Sequence, residues 1–237
     1  MSILDNSGDS RRQFLIRSAA CLGFAALGSP AALLAATSKE AMAEEVTPTE
    51  DLMREHGVLR RLMLIFDGIG GRLQGSAAFP PDPLIHATKL IRRFIQDYHE
   101  KDEEEFLFPR FEKAGKLVHL VKILRQQHEA GRKLIADLQG RATAANLGTM
   151  AGREKIRGLL NAFSRMYRPH AAWEDTVLYP AFRSVITPAE FDALGDAFEN
   201  REQQLFGKDG FEKIVAEVAG VEQELGHFEL ELFTPKV

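Results

Sequence analysis

Cysteine is almost missing: the 237 residues contain one, Cys21, inside an N-terminal stretch set apart below. Without that stretch the chain has no thiol, no disulfide and no thiolate ligand, so any metal it holds must be bound by histidine and carboxylate. Charge of one sign is lacking as well. Acidic residues outnumber basic ones by four, and no basic block follows the first twenty residues, which excludes nucleic acid as a partner. Strict alternation of apolar and polar residues is absent over any useful length, so the fold class is all-α. A long apolar run is absent too, because Ser18 to Ala36 is too short and too rich in alanine and glycine to span a membrane. An apolar content of 45% still suffices for a helical core.

The N-terminus reads as an address rather than as part of the fold. Ser10, Arg11, Arg12, Gln13, Phe14 and Leu15 resemble the bacterial twin-arginine export signal, in which a serine precedes the arginine pair and Phe-Leu follows a variable residue. The resemblance implies export of an already folded protein to the periplasm, with cleavage near Ala35 or after Ala43. Arg17, Ser18, Ala19 and Ala20 are not an apolar run, so lipid attachment at Cys21 is set aside. Membrane contact is then expected only through the uncleaved signal. The expected organisation is a signal segment and linker over 1–43, a helical bundle over 44–186, and a C-terminal helical extension over 187–237.

Thr47-Pro48-Thr49-Glu50 is a helix-start signal, and the first helix is expected to run to about Asp67. Gly68, Gly70, Gly71 and Gly75, then Pro80, Pro81 and Pro83, make a breaker-rich connection. A second helix follows to about Phe108. Leu117, Leu120, Val121, Leu124, Leu134 and Leu138 lie at helical spacing in a third, which ends at Gly140. A fourth covers about Gly152 to Leu178, with Pro169 causing a local adjustment rather than a stop. Thr187-Pro188-Ala189-Glu190 repeats the capping pattern, and one or two further helices, about 188–206 and 211–225, are expected on the outside. Four helices with short links imply antiparallel neighbours.

The chemistry is carried by an internal repeat. His99, Glu103, Leu107, Phe108, Pro109 and Phe111 match His170, Glu174, Leu178, Tyr179, Pro180 and Phe182 position for position. Upstream, His56, Arg60 and Leu62 match His128, Arg132 and Leu134. His56 precedes His99 by 43 residues and His128 precedes His170 by 42. Two like helix pairs can pack about a pseudo-two-fold axis, which brings the four histidines together. His99 with Glu103, and His170 with Glu174, are four apart; at about 100° per residue each pair shares a helix face. The expected ligand set is His56, His99, Glu103, His128, His170 and Glu174. Two Fe(II) ions would bring four positive charges, largely offset by the two carboxylates and a bridging oxo or hydroxo group. Each iron would take two histidines and one oxygen from each bridging glutamate, leaving an open position for O2, NO or peroxide. Histidine and carboxylate also suit Mn and Zn.

E-H-G-x2-R, H-x3-E-E-x2-L-F-P, Q-H and H-x3-E-D-x2-L-Y-P resemble the hemerythrin-like HHE cation-binding family, over most of residues 50 to 182. The resemblance implies an antiparallel four-helix bundle with a non-haem di-iron centre. Within that family the four-His, two-Glu set is similar to proteins that repair damaged iron-sulfur centres. Oxygen-carrying hemerythrins have a fifth histidine; His119, nine residues before His128, falls on the opposite face of its helix and cannot supply it.

Other residues receive plainer roles. His86, His119 and His227 are read as surface or packing residues, Asp102, Glu104 and Glu105 as a solvated face, and Asp175 as a neighbour of the site. Leu107-Phe108-Pro109 and Leu178-Tyr179-Pro180 are read as the ends of the ligand helices. Trp173 and Tyr179 are placed along the cavity, with packing as the first reading of Tyr179 and a redox role as the second. The functional expectation is an exported metal protein that binds or reacts with O2, NO or peroxide, or holds iron for a redox or iron-accepting protein partner. The alternatives are a di-iron oxidase or peroxidase for a small organic substrate, and a metal-free helical partner-binding protein.

Overall fold

Pro48 opens the first described helix of the computed structural model, which describes residues 46–226 and 229–236. The export-signal reading of residues 1–43, and His227, lie outside the described residues. Helix α1, Pro48–Arg72, buries Leu52, Leu59, Leu62, Phe66 and Ile69 as a core-facing stripe. It continues through Gly70 and Gly71, where the sequence suggests a break. Ile69 and Leu73 are buried on either side of that pair, and their packing outweighs the roughly 1 kcal/mol that each glycine costs a helix.

Helix α2 covers residues 82–114 as consecutive segments, Asp82–Leu90, Ile91–His99, Glu100–Asp102, Glu103–Leu107 and Phe108–Ala114. The second and fourth have π-type hydrogen bonding. Leu107-Phe108-Pro109 therefore does not end the helix, contrary to the sequence reading. The Phe108 N–H reaches back five residues to the Glu103 carbonyl, so Pro109, which has no N–H, enters a ladder already opened by one residue. Helix α2 stops instead at Gly115, whose φ of 65° is the left-handed cap that glycine adopts without strain.

Helix α3, Val118–Arg141, and the single turn α4, Ala144–Leu147, lead to α5, residues 150–182. Thr149 caps α5 by accepting from the Gly152 N–H, and the helix passes through Pro169. A π segment, Glu174–Leu178, precedes Pro180, with the Tyr179 N–H returning to the Glu174 carbonyl as Phe108 does to Glu103. Helix α6, Pro188–Phe206, starts with the expected capping box of Thr187 and Glu190; helix α7 is Gly210–Glu224.

Both α2 and α5 pack against α1 and α3, giving the all-α four-helix bundle. Its interior has two apolar clusters. One holds Leu52, Leu107, Phe108, Leu124 and Leu178, and α6 adds Phe191, Leu194 and Phe198. The other holds Val58, Tyr98, Ile135 and Tyr167, and α7 adds Ile214, Val218 and Val221. On each bundle helix the predicted ligands fall between residues of the two clusters. Among the described residues no helix is long and apolar enough to cross a membrane.

At Gly131 on α3 the helices approach closely, and a Cβ there would overlap the Tyr167 hydroxyl oxygen. Gly131→Ala is expected to lower stability by about 1–3 kcal/mol. Gly140→Ala, on the same helix with no atom within 4 Å of its Cβ, is expected to be neutral or slightly stabilising. Urea unfolding of the two variants checks the contrast, and equal midpoints would refute it.

Candidate metal centre

Six side chains singled out from the sequence, His56 of α1, His99 and Glu103 of α2, His128 of α3, and His170 and Glu174 of α5, meet in the layer between the apolar clusters. None is more than 3% exposed. The histidines face each other in pairs, His99 Nε2 at 3.1 Å from His56 Nε2 and His128 Nε2 at 3.2 Å from His170 Nε2. Glu174 lies between the pairs, with Oε2 at 3.3 Å from His56 Nε2 and Oε1 at 3.1 Å from His170 Nε2. Glu103 Oε2 is 3.4 Å from His128 Nε2 and 3.7 Å from His99 Nε2.

Every imidazole is held from behind. Nδ1 donates to Asp175 for His56 and to Glu55 for His99, both at 2.7 Å. It donates to Glu104 at 3.1 Å for His128, and to the Gln127 side-chain oxygen at 2.8 Å for His170. Arg60 in turn bonds Asp175, and Arg132 bonds Glu104 at 2.5 Å. An Nδ1–H tied to an acceptor leaves the lone pair of a neutral ring on Nε2, so four lone pairs point inward.

Those groups suit a cation. Paired Nε2 lone pairs repel at this range unless something positive sits between them, and among the described residues Glu103 Oε2 and both oxygens of Glu174 accept no hydrogen bond although they are buried. Glu103, His128, His170 and Glu174 each bring a ligand atom within 4.8 Å of the others. Imidazole and carboxylate together are donors for iron, manganese or zinc.

The electrostatics agree. Burial works to lower the His56 imidazole, but its hydrogen bond to Asp175 and the Glu174 carboxylate push it up to about 9. His128 is likewise lowered by burial yet raised to about 10 by Glu100, Glu103 and Glu104. For Glu174, burial raises the carboxyl, and the His170 and His56 rings outweigh it and hold it well below the usual range. Burial lowers His99. The site's own groups draw in positive charge.

The structure corrects the solvated-face reading of α2. Glu104 is 13% exposed and holds His128 and Arg132, and Asp102 is fully buried, bonded at 2.5 Å by Arg201 of α6. Burial and Glu55 push Asp102 up to about 8. Glu105, nearly half exposed, does lie on a solvated face. Reading helices singly could not find these partners, since each lies on another helix; the signal available was that Glu55 and Gln127 stand at matching positions of the repeat, as do Glu104 and Asp175. Tyr179 is buried at the centre, whereas Trp173 is 55% exposed. Trp173 borders a cleft of about 370 Å3 with His119, Ile123, Gln127 and His170. His86 is half exposed, 3.8 Å from Glu224, and His119 is exposed; neither joins the cluster.

A sequence model described as the hemerythrin HHE cation binding domain matches residues 47–146 and again 119–219. The two matches are displaced by the interval that separates His56 from His128. Proteins of Mycobacterium bovis and of two strains of Mycobacterium tuberculosis, each named only as uncharacterized, are 44% identical over 191 residues, covering 80% of this chain and 74% of theirs. No solved structure matches the chain.

Because a cation must displace protons from His56 and His128, metal affinity is expected to climb as pH rises toward about 9 to 10, and to weaken below, with protons released on binding. Competition with a chelator at several pH values and proton release in weak buffer measure this; a pH-independent affinity would contradict it. Asp175→Ala, which removes the acceptor behind His56, is expected to cost about 10–100-fold in metal affinity.

Proposed function

The chain belongs to the hemerythrin HHE cation-binding family, and we propose that it is a non-haem di-iron protein that binds or reacts with O2, NO or peroxide, exported by way of the twin-arginine-like run Ser10 to Leu15. His56, His99 and Glu174 Oε2 would hold one iron. His128, His170, Glu103 Oε2 and Glu174 Oε1 would hold the other. Paired irons supply reversible electron exchange with small oxygen or nitrogen ligands. The carrying observation is the two face-to-face Nε2 pairs set around three buried carboxylate oxygens that accept no hydrogen bond.

The protein's own groups do the remaining work. Glu174 spans the two pairs and Glu103 leans toward His128, so their charges offset the cations where water does not reach. Asp175, Glu55, Glu104 and Gln127 fix which nitrogen of each ring points inward. The apolar clusters on either side exclude solvent and strengthen each electrostatic contact.

A second reading, an oxidase or peroxidase for a small organic substrate, is supported by the cleft beside Trp173, whose wall includes His170 and its partner Gln127. Holding iron for delivery to a damaged partner protein is a further use of the same ligands.

Elemental analysis of the protein, purified without tag histidines from iron-replete cells, tests the proposal beside a His99→Ala, His170→Ala double variant. About two irons per chain, lost in the variant, are expected. One zinc per chain would move the chemistry toward hydrolysis or structure, and absence of metal from both proteins would sink the proposal.

A further inference from the structure

Tyr179 and Phe108 occupy the same position in the two halves of the repeat, and their rings are placed alike. Tyr179 stacks on His56 with centroids 5.6 Å apart and planes at 20°; Phe108 stacks on His128 at 5.6 Å and 24°. Each follows a π segment and returns its N–H to the ligand glutamate of its own helix. The halves therefore differ here by one oxygen atom.

That oxygen sits in the centre. The Tyr179 hydroxyl donates to Glu103 Oε1 at 2.8 Å and is 3.5 Å from His56 Nε2, the nitrogen that faces the ligand cluster. Glu103 is left with Oε2 alone for the cluster, and this atom leans toward His128. The His128–His170 side thus has two nitrogens and two carboxylate oxygens converging, while the His56–His99 side has two nitrogens, Glu174 Oε2 and a phenolic donor. Tyr167, also buried, is engaged elsewhere, donating to Glu100 at 2.5 Å.

We infer that the two metal positions are not equivalent, and that Tyr179 is a positioning residue that makes the His56–His99 side the one where a small exogenous ligand binds. One fewer carboxylate oxygen leaves room there. The single phenolic proton, given to Glu103 Oε1 in the empty centre, would turn from it to a compact ligand with an acceptor atom entering beside His56 Nε2, of the class of azide, peroxide or nitric oxide. Phe108 offers nothing similar to the opposite side. The inference rests on the two-iron reading and adds to it which side is open.

The test uses the iron-loaded full chain, Tyr179→Phe, and azide as the probe. Phenylalanine already fills the matching place at position 108, so the variant is expected to fold and to carry the same iron by elemental analysis. Azide affinity, read from its visible charge-transfer band, is expected to fall about 10-fold or more, as for loss of a hydrogen bond to a charged acceptor. A small shift of that band in D2O is expected in the wild type and not in the variant. Equal iron with equal azide affinity and equal isotope response would overturn the inference and leave the two-iron reading standing. Loss of iron from Tyr179→Phe would also overturn it, since the hydroxyl would then be needed to hold Glu103 rather than a ligand. A wild type that holds no iron overturns both.

Discussion

Glu103 and Glu174 are ionisable groups placed in the driest part of the bundle, and the surrounding structure answers that constraint. An unpaired carboxylate between two apolar clusters would be neutralised or would cost several kcal/mol. Four imidazoles are turned toward the pair, and turning them requires an acceptor behind each Nδ1. Supplying those acceptors brings in Glu55, Glu104 and Asp175, more buried or half-buried acid, and two of the three require an arginine in turn. Arg60 and Arg132 recur at matching positions because each stands one helical turn beyond a candidate ligand histidine and closes this chain of compensation at the surface. The outer helices belong to the same account: Arg201 of α6 reaches the buried Asp102, which neighbours Glu103 in sequence.

The sequence made the inner ring of this arrangement legible and much of the outer ring illegible, for a geometrical reason. Ligands on one helix obey its own period, so His99 and Glu103 could be paired by spacing alone, and duplication turned a weak pattern into a specific one. Glu104 fails that test because its partners, His128 and Arg132, stand on α3. Helix ends were misplaced for a related reason. Gly70, Gly71, Pro109 and Pro180 break isolated helices, whereas here buried neighbours at Ile69 and Leu73, and π segments ahead of each proline, keep the helices whole. Caps that depend only on local chemistry, as at Thr187 and Glu190, were legible to the residue.

The π segments link the backbone to the chemistry. Glu103–Leu107 and Glu174–Leu178 each begin at a candidate ligand glutamate and end before the aromatic residue that stacks on a histidine of another helix. A proline two residues beyond the segment forbids the ordinary hydrogen bond at that turn, which favours the wider one. The L-[FY]-P part of the motif is therefore a backbone device that fixes how a carboxylate and an aromatic ring are offered to the centre.

Duplication also gives the centre an internal reference, because a difference between halves stands out against what both retain. The halves share histidines, glutamates, arginines and stacked rings. Among their differences are Glu55 against Gln127, behind His99 and His170, and Tyr179 against Phe108, over His56 and His128. Both departures add polar chemistry to the His56–His99 half. Burial and Asp51 raise the Glu55 carboxyl, and among the described residues no arginine bonds it as Arg60 and Arg132 bond the other two acceptors. A cation held by His99 would favour the ionised form of Glu55, and that carboxylate would make the ring behind it a stronger donor than His170, whose partner is a neutral amide. One half of a symmetric scaffold thus combines a stronger nitrogen donor with a phenolic hydrogen-bond donor. Two ions of the same element held there would experience different fields, and these two side chains contribute to the difference.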